Sequence, residues 1–126
     1  MQVFKTKGFA RFARHEEISA SVLREAIRRV ERGLIDADLG GGLIKQRVAR
    51  RGQGRSGGHR VIVAYRIKSR AIFLFGFAKN KRENISSDEL VFLRELAENW
   101  LAAGSARIQQ EIEAGNLKEI EDGEEA

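Results

Sequence analysis

The chain contains no cysteine, only two histidines and no long apolar run. The absence of cysteine excludes disulfides, zinc–thiolate sites, iron–sulfur clusters and cysteine nucleophiles. His15 and His59 are too few for a three-histidine metal site, and the sequence predicts neither a metal nor a cofactor. The longest apolar stretch, residues 71–78, is far shorter than the ~20 residues that span a membrane, and the first residues lack the apolar core of a signal peptide. We therefore expect a cytoplasmic protein with no membrane partner.

The length and the composition indicate one globular domain with an uneven charge distribution. The 126 residues are 42% hydrophobic and 33% charged, with a formal net charge of +5. Residues 1–82 carry 20 Lys or Arg against 6 Asp or Glu, whereas residues 83–126 carry 3 against 12. The basic part predicts a polyanionic partner, with nucleic acid as the first candidate. The alternative is that the acidic C-terminal part folds back and neutralises the rest.

The spacing of apolar residues predicts an α+β domain. Alternation indicates strands at residues 43–48, 59–67 and 71–79, and a short edge strand at residues 3–5. Helical spacing indicates helices that begin after Thr6, Ser19 and Ser86, which are all good N-cap residues. The order (β)ααβββα predicts a twisted antiparallel sheet with the helices packed on one face. We expect this domain to end at Gly104, followed by an acidic C-terminal extension, residues 105–126, that is partly helical or disordered.

Basic residues concentrate on two of the predicted strands and on the segment between them. Period two places Lys45 with Arg47 on one side of their strand, and Arg60 with Arg66 on one side of the next. If the two sides coincide, the sheet presents a basic face that suits the phosphates of a nucleic acid. Seven basic residues and no acid occur within residues 45–66, namely Lys45, Arg47, Arg50, Arg51, Arg55, Arg60 and Arg66.

The segment between these strands, residues 52–58, is rich in glycine. It is neither a Walker A loop nor a dinucleotide fingerprint, because no Gly-Lys-Ser/Thr occurs and a strand follows instead of a helix. It is either a hairpin connection or, with its arginine, a phosphate-binding loop. His59 follows directly, either as a general acid or base or as a packed strand residue, since nothing in the sequence pairs it with a carboxylate.

Three separated motifs resemble those of the RelE-like toxins of bacterial type II toxin–antitoxin systems. They are DLGGGLIKQRVA at residues 38–49, GQGRSGGHRVI at residues 52–62 and GFAKN at residues 76–80. The resemblance covers about residues 3–101 and is closest to the HigB-type branch of the RelE/ParE superfamily. His59 stands where this branch often has an aromatic residue, and the extension after Gly104 is longer than the usual end of the family.

The resemblance implies a small RelE-like domain that is a ribosome-dependent mRNA endonuclease, or mRNA interferase. Such toxins enter the A site of the ribosome, contact ribosomal RNA and cleave the mRNA there without a metal. The 2′-OH of the substrate attacks the neighbouring phosphate and leaves a 2′,3′-cyclic phosphate and a 5′-OH. The protein partner that the resemblance implies is a cognate antitoxin.

The site residues follow from the same resemblance and from the basic strands. Arg60 is expected to clamp the scissile phosphate, with Lys45 and Arg47 beside it. Lys79 or Lys81 is expected to give a proton to the leaving 5′-oxygen. The residues expected to bind RNA or the ribosome are Arg50, Arg51, Arg55, Arg66 and His59.

Two other functions stay open at this point. One is a ParE-like inhibitor of DNA gyrase, and the other is an RNA-binding module without activity. The basic residues on the strands favour the endonuclease, because a gyrase inhibitor does not need a face that holds phosphates.

Overall fold

The computed structural model describes residues 1–50 and 54–121. Within these residues the helices are α1 (Lys7–His15), α2 (Ala20–Glu31), α3 (Ser87–Ala102) and α4 (Ser105–Glu113). The strands are β1 (Gln2–Thr6), β2 (Ala37–Gly40), β3 (Leu43–Arg50), β4 (Gly54–Arg66), β5 (Arg70–Ala78) and β6 (Leu117–Glu119). The α+β class is confirmed. Part of the glycine-rich segment, from Gly54 onward, is strand and not loop.

The side chains that begin the helices have the roles predicted for them. The Thr6 hydroxyl accepts a hydrogen bond from the Phe9 N–H at 3.2 Å, and the Ser19 hydroxyl accepts one from the Val22 N–H at 3.2 Å. Ser86 and Glu89 form the complete capping box. These bonds satisfy N–H groups that have no partner within the first turn of a helix.

The strands form one mixed sheet in the order β2-β3-β4-β5-β1-β6. Strands β3 to β5 are antiparallel neighbours, as predicted, and β2, which the sequence analysis did not predict, pairs antiparallel with β3. In contrast, β1 lies parallel to β5, with Phe4 opposite Ile72, so the sheet is not antiparallel throughout. Parallel neighbours need a long connection, and the chain between β1 and β5 supplies it with two helices and three strands.

Helices cover both faces of the sheet, whereas the sequence analysis expected them on one face only. Val61 and Val63 belong to a core with α1 and α2, whereas Ile62 and Ala64 belong to a second core with α3 and α4. Neighbouring residues on a strand point to opposite faces. Because all four of these β4 residues are apolar and buried, both faces need a cover.

Residues beyond Gly104 take part in the same sheet and the same cores. Helix α4 buries Ile108, and β6 pairs antiparallel with β1. Leu117 and Ile120 are 3% and 1% exposed. The extension that we predicted after Gly104 thus supplies one strand and three buried side chains, up to residue 120. None of the helices in residues 1–50 and 54–121 is long and apolar enough to cross a membrane.

Candidate functional site

Two antiparallel strands bring the predicted basic residues together on one side of the sheet. Arg47 of β3 lies directly opposite Arg60 of β4, and Lys45 lies opposite Ile62. Residues directly opposite each other have their side chains on the same face. Ile62 belongs to the core under α3, so Lys45, Arg47 and Arg60 emerge on the α3 side of the sheet. The basic sides that alternation predicted for the two strands therefore lie on the same face of the sheet.

An acidic residue lies among these three cations. Asp36 precedes β2, and its backbone N–H donates to the carbonyl of Lys45 at 3.0 Å. Its Oδ1 accepts a hydrogen bond from Arg47 Nε at 2.9 Å. Its Oδ2 lies 3.7 Å from Lys45 Nζ and 3.6 Å from Arg60 Nε. We call Asp36, Lys45, Arg47 and Arg60 the Asp36 cluster.

The members of the Asp36 cluster differ in their access to solvent. The side chains of Arg60, Asp36 and Lys45 are 7%, 13% and 14% exposed, whereas that of Arg47 is 49% exposed. Arg47 is therefore the outermost cation, and Arg60 lies deepest. Three cations and one carboxylate leave the cluster with a positive charge, which suits an incoming anion.

The surrounding cations control the ionisation of Asp36. Burial raises the pKa of its carboxyl, but the hydrogen bond from Arg47 and the charges of Lys45, Arg47 and Arg60 outweigh burial. The pKa of Asp36 is consequently held below its usual value. The carboxylate is ionised at neutral pH and balances part of the charge of the three cations.

A third strand and the segment after it border the Asp36 cluster. Phe77 of β5 lies directly opposite Arg60, and the guanidinium carbon of Arg82 lies 5.4 Å from the Phe77 ring centroid. Arg82 is also paired with Glu89. Asn84 Oδ1, in the same segment, is 3.5 Å from Lys45 Nζ. Arg82 thus adds a cation on an aromatic surface beside the strand that carries Arg60.

Lys79 and Lys81 lie on this segment, between β5 and α3. Lys79 Nζ is 3.4 Å from Glu83 Oε2, and the Lys79 N–H donates to the carbonyl of Gly58. Lys81 is exposed to solvent. The segment that carries both lysines reaches the cluster through Asn84.

Arg66 lies apart from the Asp36 cluster. It is six residues beyond Arg60 on β4, roughly 20 Å along an extended strand. Its Nη1 donates to the carbonyl of Leu101 at 2.6 Å, and its Nε donates to Ser69 Oγ at 3.2 Å. Arg66 therefore contacts the end of α3. The side chains of Arg50, Arg51 and Arg55 lie outside the described part of the chain.

His59 is on the opposite face from Arg60 and does not join the cluster. Its ring is 1% exposed and lies edge-on to Phe12, with the ring centroids 5.7 Å apart. Its Nε2 lies 2.8 Å from Oε1 of Glu16, a carboxylate that the sequence analysis did not pair with it. His59 is thus a packed strand residue, which is one of the two readings that the sequence left open.

Sequence reasoning missed Asp36 and Arg82. Both lie outside the alternating strands from which the basic face was predicted. A signal for Asp36 was present, since it lies two residues before the first motif and is one of only six acids in the basic part of the chain. In residues 1–50 and 54–121 no group of three or more His, Asp or Glu side chains could hold a metal ion.

The family model described as "RelE toxin of RelE / RelB toxin-antitoxin system" matches residues 1–120. This range includes every strand and helix named above, with α4 and β6. No curated protein matches the chain. The chain belongs to the RelE toxin family of the RelE/RelB toxin–antitoxin system.

Proposed function

We propose that this toxin is a ribosome-dependent mRNA endonuclease that works in the cytoplasm and is neutralised by a cognate antitoxin. The observation that carries the proposal is the meeting of Lys45, Arg47 and Arg60 on one side of the sheet. A cluster of this kind suits the backbone of a nucleic acid, because guanidinium groups bind phosphate oxygens in a fork geometry. The motif resemblance to HigB-type toxins supports the same reading.

The proposed reaction needs charge stabilisation and orientation. The ribose 2′-oxygen attacks the adjacent phosphorus and gives its proton to a solvent water, while the bond from phosphorus to the 5′-oxygen breaks. Negative charge grows on the phosphate oxygens as the new bond forms. In this proposal Arg47, the outermost cation, meets the phosphate first, and Arg60 stabilises the growing charge behind it. Lys79 or Lys81 gives a proton to the leaving 5′-oxygen.

The products follow from this sequence of bonds. Attack by the 2′-oxygen leaves a 2′,3′-cyclic phosphate on one fragment and a 5′-OH on the other. Orientation of the 2′-oxygen in line with the leaving oxygen lowers the barrier further. The ribosomal A site holds the codon, and the basic face of the toxin completes the site.

The experiment compares the wild type with Arg60→Ala on programmed ribosomes. Purified ribosomes are loaded with a defined mRNA, the toxin is added, and primer extension maps and times the cleavage. We expect Arg60→Ala to lose on the order of 10²–10³ in rate, the scale for removal of one preorganised donor. The control is Arg107→Ala, because Arg107 lies on α4, away from the Asp36 cluster, and within the described residues its only ion pair is with Glu111.

Circular dichroism and thermal melting show whether each variant is folded at the assay temperature. If folded Arg60→Ala cleaves as fast as the wild type, the site lies elsewhere. If the wild type leaves ribosome-bound mRNA intact but blocks supercoiling by DNA gyrase, the gyrase reading replaces the endonuclease. If it does neither, the protein is an RNA-binding module.

A further inference from the structure

Asp36 is the one member of the Asp36 cluster that a phosphate would repel. Its carboxylate nevertheless lies within 4 Å of all three cations that we propose to act on the substrate. Its main chain is also fixed, because the Asp36 N–H donates to the carbonyl of Lys45 on β3. A side chain that contacts every cation of a site and cannot itself bind the anion needs another role.

Asp36 contacts both arginines through Nε. Arg47 Nε is 2.9 Å from Oδ1, and Arg60 Nε is 3.6 Å from Oδ2. A guanidinium held at Nε keeps its terminal nitrogens for a second anion. Among the described residues, the terminal nitrogens of Arg47 have no hydrogen-bond partner. The carboxylate therefore fixes the direction of the Arg47 guanidinium and leaves its outer end for a phosphate.

The same carboxylate also stabilises the buried charge of Arg60. The Arg60 side chain is 7% exposed, and a cation at that depth is stable only when it is paired. Lys45 and Arg47 carry the same sign of charge and would repel it. The Asp36 carboxylate thus offsets part of the repulsion among the three cations before any substrate arrives.

We propose that Asp36 is a positioning residue of the cleavage site, which holds Arg47 and Arg60 in the orientation that the transition state requires. The proposal rests on the endonuclease function proposed above. A residue of this kind lowers the affinity for the substrate, because it repels the phosphate, and it raises the rate of the chemical step, because it orients the donors. Replacement of Asp36 should therefore lower the rate of cleavage without weakening the binding of RNA.

The experiment measures both quantities for Asp36→Asn. Cleavage of mRNA on programmed ribosomes gives kcat and KM, and fluorescence anisotropy with a short single-stranded RNA gives the affinity as a function of salt. We expect kcat to fall about 10- to 100-fold, the scale of a small misplacement of catalytic groups. We expect KM to stay equal or to fall, and the salt dependence of RNA binding to steepen by up to ~0.7 in slope for the one charge gained.

Two further variants make the result specific. Asp38→Asn is the matched control, since Asp38 lies two residues away on β2 and is exposed. Within the described residues its side chain accepts a hydrogen bond only from the nearby Gly40 N–H. It should leave kcat unchanged. Asp36→Glu keeps the charge but moves the carboxylate by one methylene. It should lower kcat while RNA affinity stays at the wild-type value, and it serves as the test if Asp36→Asn does not fold.

The opposite outcomes would overturn the proposal. An unchanged or increased kcat in Asp36→Asn would mean that the carboxylate only competes with the substrate. Loss of one limb of the pH–rate profile in Asp36→Asn would make Asp36 a general base instead of a positioning residue. Absence of cleavage by the wild type is a separate result, because it would contradict the proposed function itself.

Discussion

The imidazole of His59 lies against the carboxylate of Glu16, with Nε2 and Oε1 2.8 Å apart, although 43 positions separate the two residues in the sequence. Glu16 follows α1, and His59 lies on β4 immediately before Arg60. The pair therefore ties the end of a helix on one face of the sheet to the strand that presents Arg60 on the other face. The contact therefore fixes β4 next to Arg60, on the face opposite the Asp36 cluster.

Removal of the Glu16 carboxylate should destabilise the protein. In Glu16→Ala the buried His59 Nε2 loses its partner, and an unsatisfied buried polar group costs about 1–3 kcal/mol. We expect the free energy of unfolding in urea to fall by that amount. Glu98→Ala is the control, since Glu98 is exposed on α3 and its loss should change stability by about 0.5 kcal/mol or less. Equal stabilities of the two variants would contradict a structural role for the pair.

The ring of Phe12 leaves no space for a side chain at Gly76. A Cβ added at Gly76 would lie 2.7 Å from Phe12 Cδ2, so Gly76→Ala overpacks the contact between α1 and β5. We expect a loss of about 1–3 kcal/mol in thermal or urea unfolding. The loss should be smaller in a Phe12→Leu background, where the ring is absent. The control is Gly8→Ala in α1, where an added Cβ would have no heavy atom of the described residues within 4 Å apart from its own helix backbone. This variant should gain about 0.5–1 kcal/mol from helix propensity.

The capping box of α3 should give the protein an acid-dependent stability. The hydrogen bond from the Arg82 side chain, followed by that from the Ser86 N–H, lowers the pKa of Glu89 to about 2. A carboxyl whose pKa is lower in the folded state stabilises the protein above its unfolded pKa of 4.5, and this contribution disappears as the pH falls to about 2.

The difference in unfolding free energy between the wild type and Glu89→Gln should therefore depend on pH. We expect a difference of about 0.5–1 kcal/mol above pH 5, since the side chain is one third exposed. It should shrink below pH 4.5 and vanish near pH 2. Glu95→Gln, on the exposed side of the same helix, controls for the loss of one carboxylate. A difference that stays constant from pH 6 to pH 2 would show that the pairing does not stabilise the folded state.

The C-terminal strand should be needed for stability. Leu117 is 3% exposed on β6, and truncation of a buried leucine to alanine costs about 2–5 kcal/mol. We expect Leu117→Ala to lower the free energy of unfolding within that range. Lys118→Ala, at the next position and exposed, is the matched control. A Leu117→Ala variant as stable as the Lys118→Ala variant would show that β6 contributes nothing to the core.

Local patterns were sufficient to predict helices α1 to α3, strands β1 and β3 to β5, and the basic face, but not β2 or β6. Alternation alone places Lys45 with Arg47, and Arg60 on the neighbouring strand, and antiparallel pairing brings their sides together. The N-caps Thr6, Ser19 and Ser86 were also readable, because each cap is a contact between residues three positions apart.

Contacts between distant parts of the chain were beyond such patterns. The parallel pairing of β1 with β5 and the pair of His59 with Glu16 join residues that no periodicity connects. Asp36 precedes a four-residue strand and has no repeat to mark it. The cover on both faces could have been predicted, because residues 61–64 are apolar at every position, which is typical of a strand buried on both sides.

The order of the strands in the sheet determines when the fold can be completed during synthesis. Among the strands, β1 is translated first and β6 last, yet the two are neighbours. Until residues 117–119 leave the ribosome, the nascent chain presents the free N–H and C=O groups of β1 along that edge. Such an edge is a template for pairing with a strand from another chain. A translation product that stops short of β6 therefore carries the strands of the basic face, β3 and β4, together with an open edge at β1 that favours aggregation.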